Sequence, residues 1–158
     1  TVIDRTGHHA YGLHRLEVED RIRELFPRVA ILRLPGLFGP GLKKNVIFDL
    51  IHDNGLDKVH PDGVFQYYDT RRLASDIETV WSNGIELLNV SSEPLGTSEI
   101  RDHFFPGKEL GGQGPAPASY DMRSLHAELW GGNGGYLYSR ERMLGDLGDW
   151  LAESGSIG

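Results

Sequence analysis

Tyr11 and Arg15 are the first residues in the sequence whose types and spacing point to chemistry. Four positions apart on a helix, they stand on one face, a turn from each other. A fixed cation beside a phenol favours the phenolate, the form that takes up a proton in general acid/base work. The structural alternative has Arg15 reaching solvent while Tyr11 packs in the core. Val18, Ile22 and Leu25 continue the same stripe, so Arg15 interrupts an otherwise apolar face. Burying a guanidinium unpaired is costly, and its presence there needs a reason.

A second candidate is the run GLFGPGLKKN, Gly36 to Asn45. Glycines let backbone amides approach an anion, a following helix N-terminus favours negative charge, and Lys43 and Lys44 add cations. The run nearly spells the phosphate-binding GxxxxGK[ST] loop. It misses because Leu42 precedes Lys43 and no Ser or Thr follows to hold magnesium. Anion contact and a plain turn with two solvated lysines both remain open. His8, His9, His14, His52 and His60 form no metal-binding spacing, so no metal site is expected. Glu99 and Asp102 read as an acidic helix face more readily than as paired catalytic carboxylates. The Gly131–Gly135 run GGNGG follows no strand and reads as a loop.

These residues need elements to position them. Periodicity predicts a helix over Tyr11–Phe26, stopped by Pro27, and RVAILRL (28–34) reads as a buried strand. Asn45 starts a helix carrying Val46, Leu50 and Ile51. FQYYD (65–69) reads as a strand, with Asp69 or Thr70 capping a helix that buries Leu73, Ile77, Val80 and Trp81. IELLNV (85–90) is a further strand, and Thr97 caps a short helix through Ile100 and Phe104. Residues 106–135 form a Gly/Pro-rich loop region, in which Gly107–Ser119 is expected to be a long, mobile loop. Ser139 caps a last helix with Met143, Leu144, Leu147 and Leu151 on one side. Strands alternating with helices predict an α/β fold with a mostly parallel sheet, in one domain without a dividing linker.

Composition narrows the classes. At 158 residues, with 39% apolar and 25% charged positions, the chain has material for one core. A net charge of −7 argues against general nucleic-acid binding. No apolar run is long enough for a membrane span and no secretory signal is visible, so a cytoplasmic location is expected. The absence of cysteine removes disulfides and thiolate chemistry.

Four stretches, in order, carry a resemblance: TVID, AYGLHRLEVED, VAILRLPGLFGPGLKKN and FQYYDTRRLASDI. Together they resemble the second half of an extended short-chain dehydrogenase/reductase of the NAD-dependent epimerase/dehydratase family. That family follows a Ser/Thr-bearing strand with a YxxxK helix, then an Arg…(Tyr/Phe)GPG turn, then a Phe-x-Tyr-Val-Asp segment. The resemblance covers about residues 1 to 105 and implies the C-terminal part of a Rossmann-like, mostly parallel sheet. Flanking helices and a small substrate-facing region would complete it, with residues 136–158 as the C-terminal helix.

By that resemblance Tyr11 is the acid/base of a hydride-transfer reaction, Arg15 its electrostatic partner, and Thr1 the polarising hydroxyl. Tyr11, Arg15, Pro35, Gly36 and Leu37 would meet NAD or NADP. Phe38, Lys43, Lys44, Asn45, Gln66 and Tyr68 would face a nucleotide-sugar substrate, and the Tyr11–Phe26 helix would form a homodimer. Arg15 stands where the family has lysine, and unlike lysine it does not release a proton at working pH. The family's Asn after the Arg33 strand is replaced around Pro35 and Gly36. The fingerprint TGxxGxxG occurs nowhere in the sequence. The chain is therefore expected to be a fragment of an epimerase, dehydratase or reductase, inactive alone. A non-catalytic nucleotide-binding relative with a protein partner is the alternative, and a P-loop-like phosphotransferase a more distant one.

Overall fold

The computed structural model describes residues 10–157. Thr1, His8, His9 and the strand expected at TVID lie outside the described residues. Five helices and six short strands follow in the order α1 (Ala10–Leu25), β1 (Ile31–Arg33), β2 (Gly36–Phe38), α2 (Val46–His52), β3 (Val64–Phe65), β4 (Tyr67–Asp69), α3 (Leu73–Ser82), β5 (Leu87–Asn89), β6 (Leu95–Gly96), α4 (Thr97–Phe104) and α5 (Arg140–Glu153). The fold is mixed α/β. The strands pair two by two: β1 with β5 and β2 with β4 in parallel, β3 with β6 antiparallel. The expected mostly parallel sheet is thus divided among the described residues into three short pairs.

The division happens at Gln66, in the middle of the run expected to be one strand. Before it, Phe65 pairs with Leu95; after it, Tyr67 pairs with Gly36. The Gln66 carbonyl accepts from Gly36 N at 3.0 Å, so the chain changes partner here without leaving that group unpaired. Gly36 has to lack a side chain, because a Cβ would sit 3.0 Å from the Gln66 carbonyl oxygen and 3.2 Å from the Tyr67 ring.

Caps define the helix ends. Asn45 Oδ1 accepts from Phe48 N at 3.1 Å to start α2, and Ser139 Oγ accepts from Arg142 N at 3.2 Å to start α5. Asp69 accepts from Arg71 N at 2.8 Å, opening a 3-10 turn (Thr70–Arg72) that runs into α3. The core gathers Phe38, Ile47, Leu50, Tyr68, Leu88, Leu95, Ile100, Met143, Leu147 and Leu151 between these elements.

Two helices bury a face other than the expected one. In α3, Val80 is buried as expected, but Ile77 is 47% and Trp81 51% exposed, and Asp76 is buried in their place. Asp76 turns inward because its carboxylate accepts from the hydroxyls of Tyr68 and Tyr138 at 2.6 Å and from Trp130 Nε1 at 2.9 Å. In α1 no residue is buried. The stripe Tyr11, Val18, Ile22, Leu25 faces outward, and Leu13, Leu16 and Glu19 turn toward the body instead. No described helix is long and apolar enough to cross a membrane.

The segment expected to be mobile is held. Gly111, Gly112 and Gln113 donate backbone bonds to Leu56, Val59 and Asp57, and Val64 N donates to Ala118 O at 2.8 Å. Gly111 and Gly114 permit this approach, since a Cβ at either would lie 2.4 Å or 2.3 Å from a facing carbonyl oxygen.

Candidate functional site

The chain reverses between α1 and β1, and one ion pair fixes how the two lie. Arg33 donates through Nε to Glu19 Oε1 at 2.8 Å and through Nη2 to Glu19 Oε2 at 2.6 Å. The bond to Arg33 holds the Glu19 carboxyl below the usual carboxylate range, and it raises Arg33 in turn. Glu19, in the middle of α1, is thereby pinned at the C-terminal end of β1. Arg15 and Tyr11 lie one and two turns farther toward the helix start, about 6 and 12 Å along the axis.

The two side chains meet as their spacing implied. Arg15 Nη2 donates to the Tyr11 hydroxyl, and the guanidinium carbon stands 4.8 Å from the ring centroid. Tyr11 is 62% exposed, so the core reading of this residue does not apply.

Beyond Arg33 the chain enters a cleft of about 350 Å³ lined by Leu34, Pro35, Gly36, Phe65, Gln66, Tyr120 and Met122. The fold thus brings Pro35, Gly36 and Gln66 together around one space. Tyr11 and Arg15 do not line it. Its walls are largely apolar, with the Phe65 and Tyr120 rings 5.8 Å apart and tilted by 32°.

Other candidate residues have structural duties. Phe38 is buried, its ring 6.1 Å from that of Trp150. Tyr68 is buried on Asp76, and desolvation, then the bond to that carboxylate, pushes its hydroxyl well above the ordinary tyrosine range. Asn45 uses both ends of its amide, accepting from Phe48 N and donating to Leu37 O at 2.7 Å. Gln66 is 2% exposed, and its amide bonds to Ser92 O at 2.6 Å and to both backbone groups of Met122. Substrate contact by Phe38 or Tyr68 would require opening the core.

Lys43 and Lys44 stand exposed on the loop before α2. The glycine at 39 serves packing rather than an anion: its φ is 128° and a Cβ would lie 2.2 Å from Thr70 Oγ1. Glu99 pairs with Arg140 and accepts from Gly96 N at the start of α4, and Asp102 pairs with Arg101. Neither carboxylate faces the other as a catalytic pair would. Among the described residues no group of three His, Asp or Glu side chains is placed to hold a metal.

Sequence reasoning missed Tyr120 and Met122, which reach the cleft from a segment read only as loop. Their alternation in SYDM is a period-two pattern, too short to stand out beside the glycines and prolines around it. No family model, curated protein or solved structure matches the chain.

Proposed function

We propose that these residues form the acid/base and substrate-facing part of an NAD(P)-dependent epimerase, dehydratase or reductase acting on a nucleotide-linked sugar, built on a Rossmann-like sheet. The observation that carries the reading is the Arg15–Tyr11 hydrogen bond on a helix pinned by Glu19 and Arg33 beside the carboxyl end of β1. The apolar cleft behind Pro35 suits one face of a nicotinamide ring, and Arg15 suits a ribose hydroxyl. The diphosphate of such a cofactor finds no TGxxGxxG run in this sequence. A bound nicotinamide supplies the hydride acceptor. Tyr11 takes the proton from the sugar hydroxyl at its phenolic oxygen, and Arg15 stabilises the charge at that atom without releasing a proton itself. Lys43 and Lys44, free of the core, meet the phosphates of the sugar nucleotide. A homodimer would cover the outward stripe of α1.

Tyr11→Phe in the complete protein should lower turnover by about 10²–10⁴-fold while cofactor binding stays nearly intact, read by absorbance of the reduced cofactor and by titration. Unchanged turnover would remove Tyr11 from the mechanism. A non-catalytic nucleotide-binding relative is favoured by one observation, the guanidinium at position 15 where the family carries an amine. Cofactor reduction by any sugar nucleotide decides against that second reading.

A further inference from the structure

The Gln66 side chain joins three segments around the cleft. Its Nε2 donates to Ser92 O, just beyond β5, and to Met122 O at 2.8 Å, while Met122 N donates to its Oε1 at 2.7 Å. The two bonds to Met122 are those that a neighbouring strand's backbone would make. They extend a short parallel bridge in which Val64 N donates to Ala118 O and Tyr120 N donates to Val64 O at 3.0 Å. The backbone carbonyl of Gln66 meanwhile accepts from Gly36 N.

The segment held in this way lies outside the regular strands and carries half-exposed Tyr120 and Met122 into the cleft. The opposite side, at Pro35 and Gly36, is fixed by the β2–β4 pair. One side is therefore rigid backbone, and the other depends on a few hydrogen bonds in a surface segment of low burial, the kind that opens locally.

We infer that Gln66 is a positioning residue that latches residues 118–122 as an adjustable wall, so that Tyr120 and Met122 grip a planar ring against the Pro35–Gly36 side. The identity of that ring, a nicotinamide, rests on the proposed function; the latch does not. It also gives the buried amide a role that direct substrate contact would not, since its two N–H groups are already donated.

Two variants test this from opposite sides. Gln66→Met keeps the shape of the side chain and removes every bond to Met122. Met122→Pro removes the Met122 N–H from the exposed side and leaves the buried amide in place. In hydrogen exchange on the full chain, amides of residues 118–121 should exchange about tenfold faster in both variants, with Leu147–Leu151 of α5 unchanged. NADH alone, titrated by its fluorescence, should bind about tenfold more weakly to both. Unchanged exchange at 118–121, or a rise spread over the whole chain, overturns the latch. So does fast local exchange with an unaltered NADH affinity. NADH that fails to bind even the unsubstituted protein counts against the proposed function, and the exchange rates then judge the latch by themselves.

Discussion

Helices α1 and α5 have similar lengths, 16 and 14 residues, and are held in opposite ways. Helix α5 buries Met143, Asp146, Leu147, Trp150 and Leu151, and its Asp146 carboxylate accepts both Nε and Nη2 of Arg72. Arg71 adds bonds to Asp69, Glu153 and the Asp146 carbonyl, tying the same helix to β4. Helix α1 has no buried residue, and the Glu19–Arg33 pair ties it to β1. The residues with candidate chemistry, Tyr11 and Arg15, ride on the helix that has no buried face. A site that must admit a ligand is drawn from the low-stability end of a fold, while the well-packed end keeps the scaffold fixed. The contrast has measurable consequences on both sides.

The largest effect belongs to the well-packed part of the fold, at Asp76 of α3. Asp76→Ala leaves the hydroxyls of Tyr68 and Tyr138 and the indole N–H of Trp130 without their acceptor in a buried place. Denaturant unfolding should show a loss of roughly 3–5 kcal/mol, the cost of breaking a buried, charge-assisted network by removing one partner. A loss below about 1 kcal/mol would mean that the cluster is not what ties Trp130 and Tyr138 to α3.

The same cluster sets an alkaline limit. Burial, then the bond to Asp76, pushes the hydroxyls of Tyr68 and Tyr138 well above the ordinary tyrosine value. Their folded pKa is raised, so their contribution is fully present below about pH 10. Above it the unfolded chain releases protons that the folded chain keeps, and stability falls as pH rises toward the folded values. Each such tyrosine contributes a slope of up to about 1.4 kcal/mol per pH unit. Unfolding curves between pH 9 and 12 should therefore decline, and Tyr138→Phe should flatten the decline. An equal slope in that variant would place the alkaline limit elsewhere.

How much of this was legible in the sequence follows the same division. The helix starts at Asn45 and Ser139 were readable because a cap is a local device: one side chain and a backbone N–H three residues away. The Tyr11–Arg15 pair was readable for the same reason, since helical spacing alone brings the two together. The buried face of α3 was misread because Ile77 and Trp81 outweigh Asp76 in any count of apolar positions. Yet Asp76 shares a helical face with Leu73 and Val80, and an acid there signals a partner arriving from elsewhere in the chain. That partner, Tyr138, is 62 positions away. The cleft was hidden likewise, because Gln66 and Met122 are 56 positions apart and meet through a side-chain amide that no periodicity reports.

A smaller effect is expected where α1 meets the sheet. Glu19→Gln weakens the paired bonds to Arg33, which should release α1 locally at a cost of about 1–2 kcal/mol. Amides of residues 16–23 should exchange faster, while those of Leu147–Leu151 keep their rates. Acid does the same to the unsubstituted chain. The Glu19 pKa is depressed in the fold by the Arg33 bond, so its contribution is present above about pH 4.3 and is lost as pH falls through the folded value. If residues 147–151 loosen together with 16–23, the two helices open as one unit and the contrast between them fails.

The smallest effect on stability is expected from Ile22→Glu, and it is the most informative about the outward stripe of α1. Ile22 is 37% exposed, with Val18 at 57%, Leu25 at 59% and Phe26 at 58% in line along the same flank. A charge placed on an exposed position away from caps and cavities normally moves folding stability by no more than about 0.5 kcal/mol. If this stripe is the contact of the proposed homodimer, Ile22→Glu buries an unpaired carboxylate in each subunit, facing its symmetry mate, and the dimer should dissociate. Light scattering should then give a dimer mass for the unsubstituted chain and a monomer mass for the variant, with thermal unfolding of the monomer little changed. A dimer that survives Ile22→Glu would move the interface off α1. A monomer in both cases would overturn the homodimer and leave the Glu19–Arg33 pair as the contact that ties α1 to β1.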